Sequence, residues 1–267
     1  MKIRAIALNT FGGFLRNKII ILFSAVFLCV LLLFSAPLIG VKAMGRTLSA
    51  AQVEGMVLSL VSVIMSLISG FGSLLAAWAA ADSVSSEVRS GTILAVMARP
   101  VRRWEFLLGK YLGVLLLMSV YVLFLVVCTY VLGWIGGERI HAPVWLLMVY
   151  PMVRYAVYAA IAMFLVTAMH PVIAFGITVV ISVVAGMVEP SLNPPSYLPA
   201  AVRNGLYAVL PSTGLLSESQ FLALTQSSLQ KTAWTEHLIA LSYGLDYALV
   251  LLLLAMWLFR NRSLTRE

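Results

Sequence analysis

The residue types that carry chemistry are few in this chain and badly placed for one another. His141, His170 and His237 fall in three separate regions, and Cys29 and Cys128 each sit inside a long apolar run. Metal ligands must recur at spacings that let them converge on one ion, so no metal site is expected. Neither His-Glu-x-x-His nor Gly-x-Ser-x-Gly occurs, which removes the usual metallohydrolase and serine-hydrolase arrangements. Gly109-Lys110 lacks both an upstream glycine-rich loop and a following Ser or Thr, so it is not a phosphate-binding loop. No catalytic residue is assigned to this chain.

The elements that would have to position any chemistry are themselves unusual. Of 267 residues, 62% are hydrophobic and only 10% charged, with a mean hydropathy of +1.01. A soluble domain carries about 25% charged residues to solvate its surface. This chain reads instead as an all-α integral membrane protein. A helix needs about 20 apolar residues to cross a bilayer, and six segments supply them: Ile19–Ile39, Met56–Ala80, Phe106–Leu132, Val144–Ala168, Pro171–Val188 and Leu238–Phe259. The fourth and fifth are separated only by Met169 and His170, which forces a tight helical hairpin. Pro171 suits the first turn of the new helix, where a missing N–H costs nothing. The two cysteines then read as small apolar residues of membrane helices.

Charge placement gives an orientation. With the N-terminus inside, one face collects Lys2, Arg4, Arg16, Lys18, Arg89, Arg99, Arg102, Arg103, Lys110, Arg260, Arg262 and Arg266, against Asp82, Glu87, Glu105 and Glu267. The remaining basic and acidic residues balance, so the whole net charge of +8 lies on that face. The positive-inside rule makes it cytoplasmic, with both termini inside a cell (inner) membrane. A positive charge so distributed speaks for membrane orientation, and no nucleic-acid partner is expected.

Two further regions fill out a single domain over residues 1–267. Ile3, Ile6, Ala7 and Phe14 fall on one helical face, while Arg4, Asn9 and Arg16 lie away from it. That pattern predicts a short interfacial helix at the N-terminus. The outer segment Glu189–His237 opens with Pro190, Pro194, Pro195 and Pro199, which exclude a regular helix there. Ala200–Leu210 and Leu215–Leu224 are each too short to span and are expected as re-entrant or interfacial helices before the sixth span. Small residues allow close helix approach in lipid. Ser62, Ser66, Gly70 and Ser73 form such a stripe on span two, and Gly109 with Gly113 opens span three; both serve either packing within one copy or a subunit seam. Arg154 and Asp246 are the charges at membrane depth, where each is expensive. They either pair or snorkel separately to the outer headgroups.

The informative stretch is the loop Asp82–Lys110. A short amphipathic helix is expected after Gly91, with Ile93, Leu94 and Met97 on its apolar side. Arg99-Pro100 ends it, because a residue before proline avoids helical geometry. Apolar knobs with a basic rim suit the docking of another protein, although a basic loop that merely anchors topology has the same composition.

The pattern Glu87-x-x-x-Gly91-Thr92-x-x-x-x-x-x-Arg99-Pro100-Val101-x-Arg103, followed by Leu107-Leu108-Gly109-Lys110, resembles the loop of type-2 ABC transporter permeases. Ile93 stands where that family often has leucine. The basic ending Leu258-Phe259-Arg260-Asn261-Arg262 is also similar. The resemblance implies a permease subunit of an ABC exporter, working as a homodimer or with a related permease chain. It also implies two copies of a separate ATP-binding subunit that hold the ATP and Mg, leaving no cofactor in this chain. Glu87, Gly91, Thr92, Ile93, Leu94, Met97, Arg99, Pro100 and Arg103 would then form the coupling helix and its flanks, which dock that subunit. The alternatives from other classes are a secondary transporter and a membrane-embedded enzyme or assembly subunit. Apolar spans without a charged ring or a Met/His/Cys cluster fit a lipid, a lipid-linked glycan or an amphipathic drug as cargo.

Overall fold

The computed structural model describes residues 2–18, 20–23, 25, 28–29, 32–33, 40, 50–89, 102–136, 144–187, 210–212, 216 and 234–261. Among the described residues the regular elements are helical: α1 (Lys2–Leu15), α2 (Ala50–Arg89), α3 (Arg103–Gly136), α4 (Val144–Ala168), α5 (Pro171–Met187) and α6 (Trp234–Asn261). Four segments within α2, α3, α4 and α6 are long and apolar enough to cross a membrane, and α5 contributes a shorter apolar helix. The expected span Ile19–Ile39 lies mostly outside the described residues; those of its residues that are described, such as Ile20–Phe23, are helical. The expected helices Ala200–Leu210 and Leu215–Leu224 also lie outside them, apart from Leu210 and Leu216.

Hydropathy located the helices but not all their ends. α4 runs over the expected residues, and α5 covers Pro171–Met187, with Val188 outside the described residues. α2, by contrast, is 40 residues long, or about 60 Å at 1.5 Å per residue. That is about twice a hydrocarbon core of roughly 30 Å. The helix simply continues through the polar Asp82–Arg89, whose residues are competent helix formers although they no longer read as apolar. α3, at 34 residues, likewise overruns the core.

α4 is the central helix, packed by α2, α3, α5 and α6. Every side chain from Tyr155 to Met163 is buried, as expected of a helix that is apolar all round. Close packing is made possible by small residues. Ala156, Ala159, Ala160 and Ala162 on α4 and Ala76, Ala77, Ala79, Ala80 and Ala81 on α2 are in the core. Gly72 on α2 lies against the rings of Tyr155 and Tyr121, and Gly244 on α6 lies against Val153. Buried hydroxyls satisfy themselves on the preceding helical turn: Ser73 donates to the Ser69 carbonyl at 3.1 Å, Thr129 to Leu125 at 2.9 Å and Thr178 to Ala174 at 2.8 Å. This back-bonding removes the cost of a hydroxyl in apolar surroundings. Tyr111 and Tyr121 instead tie helices together, donating to the carbonyls of Ala156 (3.0 Å) and Ile68 (2.8 Å).

The outward faces are of two kinds. α3 exposes Leu116, Leu123, Val127 and Trp134, and α6 exposes Leu249, Leu253 and Trp257. α2 exposes Gly55, Ser59 and Ser66 beside Met56 and Val63, a smaller and more polar stripe.

Candidate functional site

The loop that carries the motif is approached through its two legs, the last turns of α2 and the first turns of α3. Gly91, Thr92, Ile93, Leu94, Met97, Arg99 and Pro100 lie outside the described residues; Glu87 and Arg103 lie within them. Glu87 on α2 and Lys110 on α3 form an ion pair, with the side chains 20% and 5% exposed. Lys110 also stands over the Phe106 ring at 5.6 Å. An ammonium this buried is costly unless a carboxylate stands beside it. The pair therefore braces the two legs against each other just before the loop departs.

The start of α3 is capped from within. The Glu105 carboxylate accepts the Arg102 backbone N–H at 2.8 Å, the reciprocal half of a capping box, and the Arg102 carbonyl accepts the N–H of Phe106 at 3.1 Å. A negative side chain in the first turn also complements the helix dipole. One residue on, Arg103 turns to α6. Its guanidinium donates to the carbonyls of Phe259 (3.2 Å) and Arg260 (3.0 Å). These are among the last carbonyls of α6, which lack partners inside their own helix. The rings of Phe106 and Phe259 stack alongside, 6.2 Å apart with an interplanar angle of 17°. Arg103 thus fastens α3 to the end of α6.

α1 lies across α3 at the same end of the bundle. Ala7, Thr10 and Phe14 are buried, Ile3 and Ile6 partly so, while Arg4, Asn9 and Arg16 are exposed. A Cβ on Gly109 would stand 2.8 Å from Ile6, and one on Gly113 would stand 2.7 Å from Thr10. The pair Gly109 and Gly113 is therefore the groove that admits α1, packing within one copy of the chain. The stripe on α2 divides: Ser73 is buried, Ser66 is exposed and Gly70 faces open space. Between α1, α2 and α3 a cavity of about 580 Å³ is lined by Asn9, Arg16, Asn17, Asp82, Glu87 and Lys110, among others. Asn17 donates to Asp82 across its mouth at 3.1 Å.

The charges at membrane depth do not meet. Arg154, partly buried on α4, donates to Ser69 Oγ on α2 at 3.0 Å, and its Nε is shut from solvent with no acceptor. Asp246 is exposed on α6, and no ion pair joins the two. Elsewhere the Tyr150 hydroxyl and His237 Nδ1 are 2.7 Å apart, tying α4 to α6, and exposed His170 accepts the N–H of Val172 at 3.4 Å. Among the described residues no group of His, Cys, Asp or Glu could hold a metal.

Three roles are not readable from the sequence. Lys110 reads as an inner charge and as the end of the loop motif, but not as the partner of Glu87, 23 positions away. Ser69 and Gly72 hid among many small residues of α2; Gly72 could have been found only by asking where an aromatic-rich facing helix needs room.

A bundle of long apolar helices around a buried central helix is the architecture of a multi-pass membrane protein. The chain belongs to the ABC-2 family of transporters: the model described as "ABC-2 family transporter protein" matches residues 4–264. This agrees with the resemblance read from Glu87–Lys110. Membership makes the chain a multi-pass membrane component of an ABC transporter, which associates with an ATP-binding subunit and is not itself the catalytic subunit. Among curated proteins no match to the chain is found.

Proposed function

We propose that this chain is the permease of an ABC exporter, with its coupling helix within Gly91–Pro100 docking a separate ATP-binding subunit. The family match across residues 4–264 carries the reading. The braced legs support it: a push on the loop between α2 and α3 meets the Glu87–Lys110 pair and the Arg103 fastening rather than two loose strands of chain. The end bearing α1, the loop and the end of α6 is then the cytoplasmic end, in accord with Lys2, Arg4, Arg16, Lys18, Arg102, Arg103, Lys110 and Arg260 on or beside these elements. Two permease chains and two ATP-binding subunits, which hold the ATP and Mg, complete the transporter in a cell (inner) membrane. ATP-driven closure of those subunits would move the coupling helix and, through α2 and α3, change the side to which the pathway opens.

Co-purification tests this directly. The full chain should retain an ATP-binding subunit encoded by the same genome and confer cargo-dependent ATPase activity on it. Leu94→Asp or Met97→Asp should abolish the dependence while membrane insertion persists. Retention of a fully coupled complex by both variants would overturn the docking assignment. A cysteine at Ser196 should react with an impermeant thiol reagent outside intact cells and one at Ser263 should not; the reverse pattern would invert the topology.

A further inference from the structure

We infer that Arg154, set against Ser69 between α2 and α4, is a binding site for an anionic group, phosphoryl or carboxylate, on a molecule that enters the α2 face. The inference rests on the permease reading and names a chemistry for its pathway.

Position comes first. Arg154 is ten residues from the start of α4 and fourteen from its end, or about 15 Å and 21 Å along the axis. It stands well within membrane depth, where an arginine is retained for a partner, a water-filled path or a ligand. The pairing with Asp246 weighed in the sequence is not formed. Asp246 is exposed on another helix, and no carboxylate among the described residues pairs with Arg154. Among the described residues Ser69 is its one hydrogen-bond partner; it is neutral and takes a single donor of the five on a guanidinium. Nε is enclosed with no acceptor, so the group is dehydrated on one side without a compensating charge. A guanidinium in that condition binds an anion more strongly than one in water, and its planar fork matches phosphate and carboxylate oxygens.

The surroundings point the same way. α3 and α6 turn Leu, Val and Trp outward, as a lipid-facing helix does. The outward stripe of α2 leading to Ser69 offers Ser59 and Ser66 among the apolar Met56 and Val63, with open space at Gly70. A mixed, shallow face leading to a dehydrated cation is suited to an anionic head whose apolar remainder lies along the stripe. The chemistry is shared by an amphiphile's headgroup and by a free anion, and the experiment separates them.

The purified full chain in nanodiscs of zwitterionic lipid is titrated with hexadecylphosphate, hexadecyltrimethylammonium and inorganic phosphate, with tryptophan fluorescence as the readout. Hexadecylphosphate should bind saturably, and R154Q should weaken it at least about tenfold, whereas R154K, which keeps the charge but not the planar fork, should fall between the two. Protease protection of α4 in R154Q equal to that of wild type guards against a merely unfolded variant. Saturable binding of inorganic phosphate, lost in R154Q, supports the site with a soluble anion; binding of the amphiphile alone supports it with a headgroup. Equal affinity of wild type and R154Q for hexadecylphosphate, or equal binding of the cationic amphiphile, overturns the inference. Co-purification of R154Q with the ATP-binding subunit is scored separately: an intact complex with unchanged anion affinity sinks the site alone, and a chain that never holds that subunit sinks the permease reading.

Discussion

The Arg103 guanidinium lies 3.0 Å from the carbonyl oxygen of Arg260, so the first residue of α3 caps the last turn of α6. The contact joins positions 157 residues apart and stacks Phe106 on Phe259 beside it. A cation at a helix C-terminus stabilises both the orphan carbonyls and the dipole. The motif residue closest to the loop's end is therefore committed within its own chain, and force entering α3 from the loop reaches α6 through it.

Arg103→Gln should release that end. The loss of two charge-assisted hydrogen bonds at a partly exposed site costs about 1–2 kcal/mol. Thermal unfolding in detergent should report it, and hydrogen exchange should quicken in the last turn of α6. Unchanged exchange there would mean that the cap carries no weight.

Glu87→Ala should be the more damaging change. It leaves Lys110 enclosed without its carboxylate, and breaking such a pair by removing one member costs about 3 kcal/mol or more. Replacing both, Glu87→Leu with Lys110→Met, restores a neutral seam and should recover most of the loss. A double variant no better than Glu87→Ala alone would show that the pair is not what matters. The expected recovery concerns stability; coupling to the ATP-binding subunit should remain impaired, because an apolar seam slides where an ion pair locks.

How legible these features were differs by kind. The hairpin at Met169-His170-Pro171 placed α4 and α5 to within a residue, since two apolar runs and a proline leave one arrangement. The apolar face of α1 could be read from Ile3, Ile6, Ala7 and Phe14 because helical periodicity is local. Its seat could not, since Gly109 and Gly113 offered a groove without naming an occupant. The end of α2 was set nine residues early, at Ala80 against Arg89, because hydropathy falls at Asp82 while no Gly or Pro breaks the helix there. Lys110 with Glu87, and Arg103 with α6, are long-range pairings that only the packed bundle brings together.

Gly113→Val should unseat α1. A Cβ there would stand 2.7 Å from Thr10 Cβ and 2.9 Å from the Ala7 carbonyl, and backbone cannot yield as a flexible side-chain tip would. Overpacking of this kind costs about 1–3 kcal/mol. Residues 2–15 should become susceptible to protease while α3 and α4 stay protected. Gly176, which has no atom within 4 Å of a would-be Cβ, provides the contrast: Gly176→Ala should leave stability unchanged or slightly raised, by up to about 1 kcal/mol from better helix propensity. Equal effects at the two glycines would remove the groove from the account of α1.

Arg154 and Asp246 should behave as strangers. Arg154 reaches Ser69 on α2, whereas Asp246 is turned outward on α6 with no ion pair between them. Residues that share no partner add in their effects on stability to within about 0.5 kcal/mol. A cycle of Arg154→Ala, Asp246→Ala and the double variant, followed by unfolding in detergent, should give a coupling no larger than that. Asp246→Ala alone should cost little, since an exposed carboxylate with no counterion loses no pairing. Arg154→Ala should cost more, through the bond to Ser69 and the stem packed between α2 and α4. A coupling well above 0.5 kcal/mol would put the two charges in one network. It would give Arg154 a resident counterion, and with it a reason to sit at membrane depth that needs no anionic ligand.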